Sequence, residues 1–191
     1  MFGRDDLKAL VECAGQALKD EDAFLTQCAK DHGWNDGPMG LRASTNERYY
    51  QFVIWRALMR SSPWRPQTER LDRTDLVLWD AVSNKVAALS EIKGWWSTDG
   101  ILEIPGIQRD IAKLRASSAS SAPGVMLILT HNPKDLTEKN LDFLAKRLSV
   151  SLDVFMTYKF DTPPWYRDKG TPVEFVVIGF LTAQSPLAAS A

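Results

Sequence analysis

Two apolar segments, 75–79 and 86–93, stand on either side of a short polar stretch, and this arrangement constrains the fold more than any other feature. The stretch between them contains Ser83-Asn84, a pair typical of turns. The pattern therefore predicts a β-hairpin. If the turn is centred at Ser83 or within half a residue of it, Asp75 faces residue 91 or 92 on the second strand.

The second strand carries an acid and a lysine two residues apart. Because side chains alternate along a strand, Glu91 and Lys93 share one face and Ile92 points to the other. If Asp75 lies opposite Glu91, the two carboxylates are about 5 Å apart and repel each other. A Mg²⁺ ion removes this repulsion, since it prefers carboxylate oxygens and keeps several waters. The Ile92 carbonyl can add an oxygen ligand, and Lys93 can orient a water or balance charge on a phosphate.

The rest of the chain predicts further helices and strands in mixed order. The expected helices are 4–31 (as one helix or two), a long helix capped by Ser44 or Thr45 and ending near Arg60, 107–114 and 133–148. The other expected strands are 67–70, 125–130, 154–160 and 173–181. Apolar residues on every side of the long helix predict that it is largely enclosed. The fold class is α/β, with a mixed central sheet flanked by helices.

The length of 191 residues suits one compact domain with a core. We expect an N-terminal helical extension at 1–40 packed on the core, an α/β domain at 41–183 and a flexible tail at 184–191. No apolar run approaches the roughly 20 residues that cross a bilayer. The first residues are acidic and mixed, unlike a secretory signal. A cytoplasmic protein without a membrane partner is the resulting expectation.

Charge is unevenly distributed although the net charge is only −1. Residues 1–40 carry eight acids and four bases, whereas residues 41–73 carry seven arginines, no lysine and three acids. The planar fork of arginine suits bidentate contact with phosphate. We expect Arg42, Arg48 and Arg73 to contact nucleic acid. The alternative is a solvated helix face with ion pairs inside the helix.

Two tryptophans, Trp95 and Trp96, directly follow the strand that carries Lys93. Aromatic rings beside a phosphate site can stack on bases, particularly those of single strands. Both residues are therefore candidate nucleic-acid contacts. Core filling, anchoring of a loop, and a protein interface or dimer seam are the alternatives.

Three segments together resemble the PD-(D/E)XK nuclease superfamily, which has the restriction-endonuclease-like fold. They are Arg73-Thr74-Asp75-Leu76-Val77-Leu78, Glu91-Ile92-Lys93 and Gln108-Arg109-Asp110-Ile111-Ala112-Lys113-Leu114, and the resemblance covers about 44–130. Two positions depart from the superfamily pattern. Thr74 replaces the proline of the name, and Ala112 stands where some members have a tyrosine four residues after the glutamine.

The resemblance implies an αβββαβ core. It implies that Asp75 and Glu91 are metal ligands and that Lys93 is the catalytic lysine. It also implies that Glu47, carried on a helix, completes the metal site and that Gln108 touches it from the helix after the strands.

These observations together predict a nuclease that depends on Mg²⁺ or Mn²⁺ and hydrolyses phosphodiester bonds in DNA by a metal-activated water. DNA is favoured over RNA as the partner, and a homodimer is compatible with cutting two strands. The alternative is a non-catalytic module of the same fold that binds nucleic acid or a protein partner.

Overall fold

The computed structural model describes residues 2–34, 39–43, 46–68, 73–97, 100–117, 121–163 and 172–182. Within these ranges the chain forms four α-helices and six strands. The helices are α1 (Arg4–Asp31), α2 (Glu47–Ser61), α3 (Ile104–Ala116) and α4 (Thr137–Leu148). The strands are β1 (Trp64–Gln67), β2 (Leu76–Asp80), β3 (Val86–Trp95), β4 (Gly124–Pro133), β5 (Met156–Thr162) and β6 (Val173–Leu181). None of the helices in these ranges combines the length and apolar character of a bilayer-crossing span.

The six strands form one mixed sheet in the order β1-β2-β3-β4-β6-β5. β3 and β4 are parallel, and every other neighbouring pair is antiparallel. A parallel pair needs a crossover connection, and α3 supplies it. The expected α/β fold with a mixed sheet and flanking helices is confirmed.

Helices cover both faces of the sheet. The apolar sides of α1 and α2 pack on one face, against residues such as Leu78, Leu127 and Val177. α3 and α4 pack on the opposite face, against residues such as Met126 and Ile178. β4 contributes to both clusters because it is central and buried on both sides.

The hairpin of β2 and β3 has the register on which the candidate site depends. Leu76 lies opposite Ser90, and the register shifts only beyond Leu78, nearer the turn. Continuing this register by one residue places Asp75 opposite Glu91. The side chains of β2 and β3 that point to the same face of the sheet as Asp75 and Glu91 pack against α3.

Two element boundaries differ from the expectation for a clear physical reason. β1 runs over Trp64–Gln67 rather than 67–70, and residues 69 and 70 lie outside the described residues. β1 is an edge strand, where Pro66 can be accommodated because one side of the strand needs no amide donor. The helix expected at 133–148 begins only at Thr137, since Pro133 completes β4 and a 3₁₀ turn follows it.

Helix α2 also differs from expectation at its cap and in its burial. Its N-cap is Asn46, whose side chain accepts a hydrogen bond from the Arg48 amide. The predicted caps at 44 and 45, like the predicted tail at 184–191, lie outside the described residues. The helix is not enclosed, because Phe52 and Met59 are each more than half exposed. Only one side of α2 packs on the sheet, as an amphipathic helix does.

Candidate active site

The part of β3 that extends beyond β2 forms the floor of the site. The last β3 residue paired with β2 is Ser90, and β3 continues for five residues to Trp95. Backbone amides along this edge need another acceptor. The Asp75 carboxylate, just before β2, accepts a hydrogen bond from the Ile92 amide, with 2.8 Å between Oδ2 and N.

Glu47 reaches the same edge from the first turn of α2. Its Oε2 accepts a hydrogen bond from the Gly94 amide at 3.1 Å, and its Oε1 lies 3.4 Å from the Lys93 Nζ. The positive end of the helix dipole favours a carboxylate at this position. Asp75 and Glu47 thus cap successive outward-facing amides of β3, and Lys93 lies beside them.

Glu91 is the most buried acid of the site, with its side chain only 5% exposed. Its Oε1 lies 2.5 Å from Nζ of Lys113, a close ion pair that lacks the angles of a hydrogen bond. The Lys113 ammonium group donates instead to the carbonyl oxygen of Arg73 at 2.7 Å. Lys113 is carried by α3, so the crossover helix supplies the counter-charge of a strand residue.

The electrostatics of the site disfavour the charged form of Glu91. Burial raises the pKa of Glu91 to about 7, and the negative charges of Asp75 and Asp110 act in the same direction. The ammonium group of Lys113 opposes this rise without cancelling it. Burial, more than the neighbouring charges, therefore opposes ionisation of Glu91.

Asp110 and Lys113 belong to the site although sequence reasoning assigned them no role there. Burial raises the pKa of Asp110, while the charges of Lys93 and Lys113 lower it. On α3, Gly106, Asp110 and Lys113 share one helix face. A Cβ atom added to Gly106 would lie 3.2 Å from Cε of Lys93, so this glycine leaves room for the lysine. In the sequence, the spacing of these three residues, four positions and then three, was the signal that could have placed them on one face of the helix.

The donor set fits a hard divalent cation in charge and chemistry. Four carboxylates (Asp75, Glu91, Asp110 and Glu47) interact with two ammonium groups, a formal excess of two negative charges. Mg²⁺ needs only one or two carboxylates, since waters complete its coordination. In the described part of the chain, however, no three acidic, histidine or cysteine side chains converge as a ready-made metal cage. Asp75 and Glu91, with or without the Ile92 carbonyl, are the residues that would hold the ion.

The remaining predicted site residues lie at different distances from this cluster. Arg48 and Arg73 are exposed and adjoin it, as neighbours of Glu47 and Asp75 in the chain. Arg42 lies elsewhere: its guanidinium group donates to the Pro163 carbonyl oxygen. Gln108 is exposed, and about 200° around α3 separates it from Asp110. The structure therefore does not bring Gln108 or Arg42 to the cluster.

The two tryptophans have separate environments. Trp95 is 1% exposed, packs near Phe143 and donates from Nε1 to the Ser97 carbonyl oxygen at 2.9 Å. A ring so enclosed presents no face to a base, so core filling describes Trp95 and the predicted contact with nucleic acid does not. Trp96 is partly exposed and stacks on His131, with ring centroids 5.6 Å apart.

Comparison of the chain with protein-family models, with curated proteins and with solved structures finds no match.

Proposed function

We propose that this protein is a nuclease of the PD-(D/E)XK type, which depends on Mg²⁺ or Mn²⁺ and hydrolyses phosphodiester bonds in DNA. One observation carries the proposal. Asp75, directly before β2, and Glu91, on β3, interact in a half-buried cluster of four carboxylates and two ammonium groups, which has a formal excess of two negative charges. An excess of negative charge of this size favours the binding of a divalent cation, because the cation neutralises the repulsion between the carboxylates.

The order of elements supports the same proposal. From α2 the chain runs through β1, β2, β3, α3 and β4. This is the αβββαβ order that the resemblance implies; Asp75 directly precedes its second strand, and Glu91 lies on its third. Helix α1 adds to this unit by packing on the sheet beside α2.

Each side chain has a distinct task in the proposed reaction. Asp75 and Glu91 would hold the ion, which when bound would supply a Lewis acid for the phosphate and a water of lowered pKa. Lys93 is 29% exposed, so its ammonium group can reach a phosphate or an attacking water. Glu47 positions Lys93 through the ion pair between them. Arg48 and Arg73 flank the cluster and can hold the phosphates on either side.

Cleavage and metal affinity measured together test the proposal. The purified protein is incubated with supercoiled and linear DNA in Mg²⁺, Mn²⁺ or EDTA, and Mn²⁺ affinity is measured by calorimetry. We expect Glu91→Ala to abolish cleavage and weaken Mn²⁺ binding. Lys93→Ala should abolish cleavage and leave Mn²⁺ binding largely intact. Glu12→Ala, an exposed change on α1, is the matched control. Metal-dependent cleavage that persists in Glu91→Ala would refute the assignment.

The second candidate is a non-catalytic module of the same fold that binds nucleic acid or a protein. A specific observation favours it: Asp75, Glu47 and Glu91 each already contact an amide or ammonium group of the protein. A network of this kind can stabilise a fold without metal. On this alternative, the protein binds its partner without any metal-dependent cleavage, and Lys93→Ala leaves the binding unchanged.

A further inference from the structure

Lys113 occupies a position suited to a bound cation. Its Nζ lies 2.5 Å from Oε1 of Glu91 and 2.7 Å from the carbonyl oxygen of Arg73. A carboxylate oxygen and a backbone carbonyl are also ligands that divalent cations use. The ammonium group thus meets two hard oxygens, at the most buried acid of the cluster.

We propose that Lys113 is a tethered counter-cation that a divalent ion must displace from Glu91, so that this lysine weakens and thereby sets metal affinity. The inference rests on the proposed function, since it concerns the same metal site. It adds a role for a residue of α3, outside the strands that carry the proposed site.

The position of Lys113 allows this displacement. Its side chain is 34% exposed and lies in the last turn of α3, so the flexible stem can carry the ammonium group towards solvent. Asp110, three residues earlier, interacts electrostatically with Lys113 and offers a second carboxylate partner on the same helix face. Lys93, by contrast, interacts with Glu47 and leaves Glu91 to Lys113.

Calorimetric titration of the full chain with Mn²⁺ alone tests the inference. Lys113→Met keeps the aliphatic stem and removes the charge, and we expect it to tighten Mn²⁺ binding roughly two- to fivefold, as for loss of a partly exposed ion pair. Lys139→Met removes one charge from an exposed position on α4 and controls for the overall charge. In a Glu91→Gln background, Lys113→Met should no longer change the affinity.

A second measurement uses the wild-type chain and so does not depend on a variant that folds. Lysine acylation, read by mass spectrometry, should increase at Lys113 when Mn²⁺ is added and stay constant at Lys139. The inference fails if wild type binds Mn²⁺ and Lys113→Met binds it equally or more weakly. It also fails if wild type binds Mn²⁺ and labelling of Lys113 does not rise. In both cases the proposed function stands. If neither wild type nor Lys113→Met binds Mn²⁺, both fail.

Discussion

Replacement of Glu91 by glutamine should change how stability depends on pH. Burial raises the pKa of Glu91 from an ordinary value of 4.5 to about 7 in the folded chain. Between these pH values the folded state therefore holds a proton that the unfolded state has lost. The free energy of unfolding must fall as pH rises through this window, and the loss is complete above pH 7.

The size of this loss follows from the two pKa values. A rise from 4.5 to about 7 corresponds to about 3 kcal/mol of folding free energy lost by pH 8. Solvent screens little of this effect because the Glu91 side chain is 5% exposed. In Glu91→Gln no charge forms, so this contribution is absent at every pH. Lys113 loses its partner, but at 34% exposure it can reach water at small cost.

Urea unfolding followed by tryptophan fluorescence, at pH 5 and pH 8, measures the effect. We expect Glu91→Gln to be more stable than wild type at pH 8 by up to about 3 kcal/mol, with a much smaller difference at pH 5. The difference between the two proteins isolates Glu91 from other titrating groups. Mg²⁺ should stabilise wild type more at pH 8 than at pH 5, because the ion binds the deprotonated carboxylate.

An exposed acid of α1 provides the control for Glu91. Glu12→Gln changes an exposed acid of α1 and should leave the pH dependence as in wild type. If wild type and Glu91→Gln lose the same free energy between pH 5 and pH 8, Glu91 does not carry an uncompensated buried charge. The site would then lack the excess of negative charge that favours a bound cation.

Three further substitutions test packing around the sheet and the site. Gly106→Ala should raise the free energy of unfolding in urea by up to about 1 kcal/mol, since alanine favours a helix. The same change should slow DNA cleavage, because the added Cβ atom would lie 3.2 Å from Cε of Lys93. Gly15→Ala, also within a helix, should instead lower stability by about 1–3 kcal/mol, because its Cβ would lie 2.2 Å from the Tyr158 ring; a rise in the midpoint would contradict this packing. Trp95→Ala should cost about 3–5 kcal/mol in the same assay, as expected for a core residue, and a surface-like cost below about 0.5 kcal/mol would show that the ring is not buried.

Local pattern predicted much of the sheet. β6 was predicted at 173–181 and lies there, and the hairpin strands were placed to within about two residues at each end. Apolar runs bounded by turn residues are strong signals because they depend only on neighbouring positions. β1 was misplaced because Pro66 is compatible only with an edge strand, and a local pattern does not show which strand is at the edge.

The sequence by itself limited the residue opposite Asp75 to 91 or 92, because the length of the turn and the alternation of side chains restrict the register of a hairpin. The structure selects Glu91 through a shift in register between Leu78 and Trp79. Only the tertiary structure decided which other groups join them. Packing of α3 across β3 and β4 brings Asp110 and Lys113 to the acids and turns Gln108 away, while α4 and its neighbours enclose Trp95. Alternation acts between residues two apart, whereas the covering of a strand by a helix depends on contacts between segments distant in the chain.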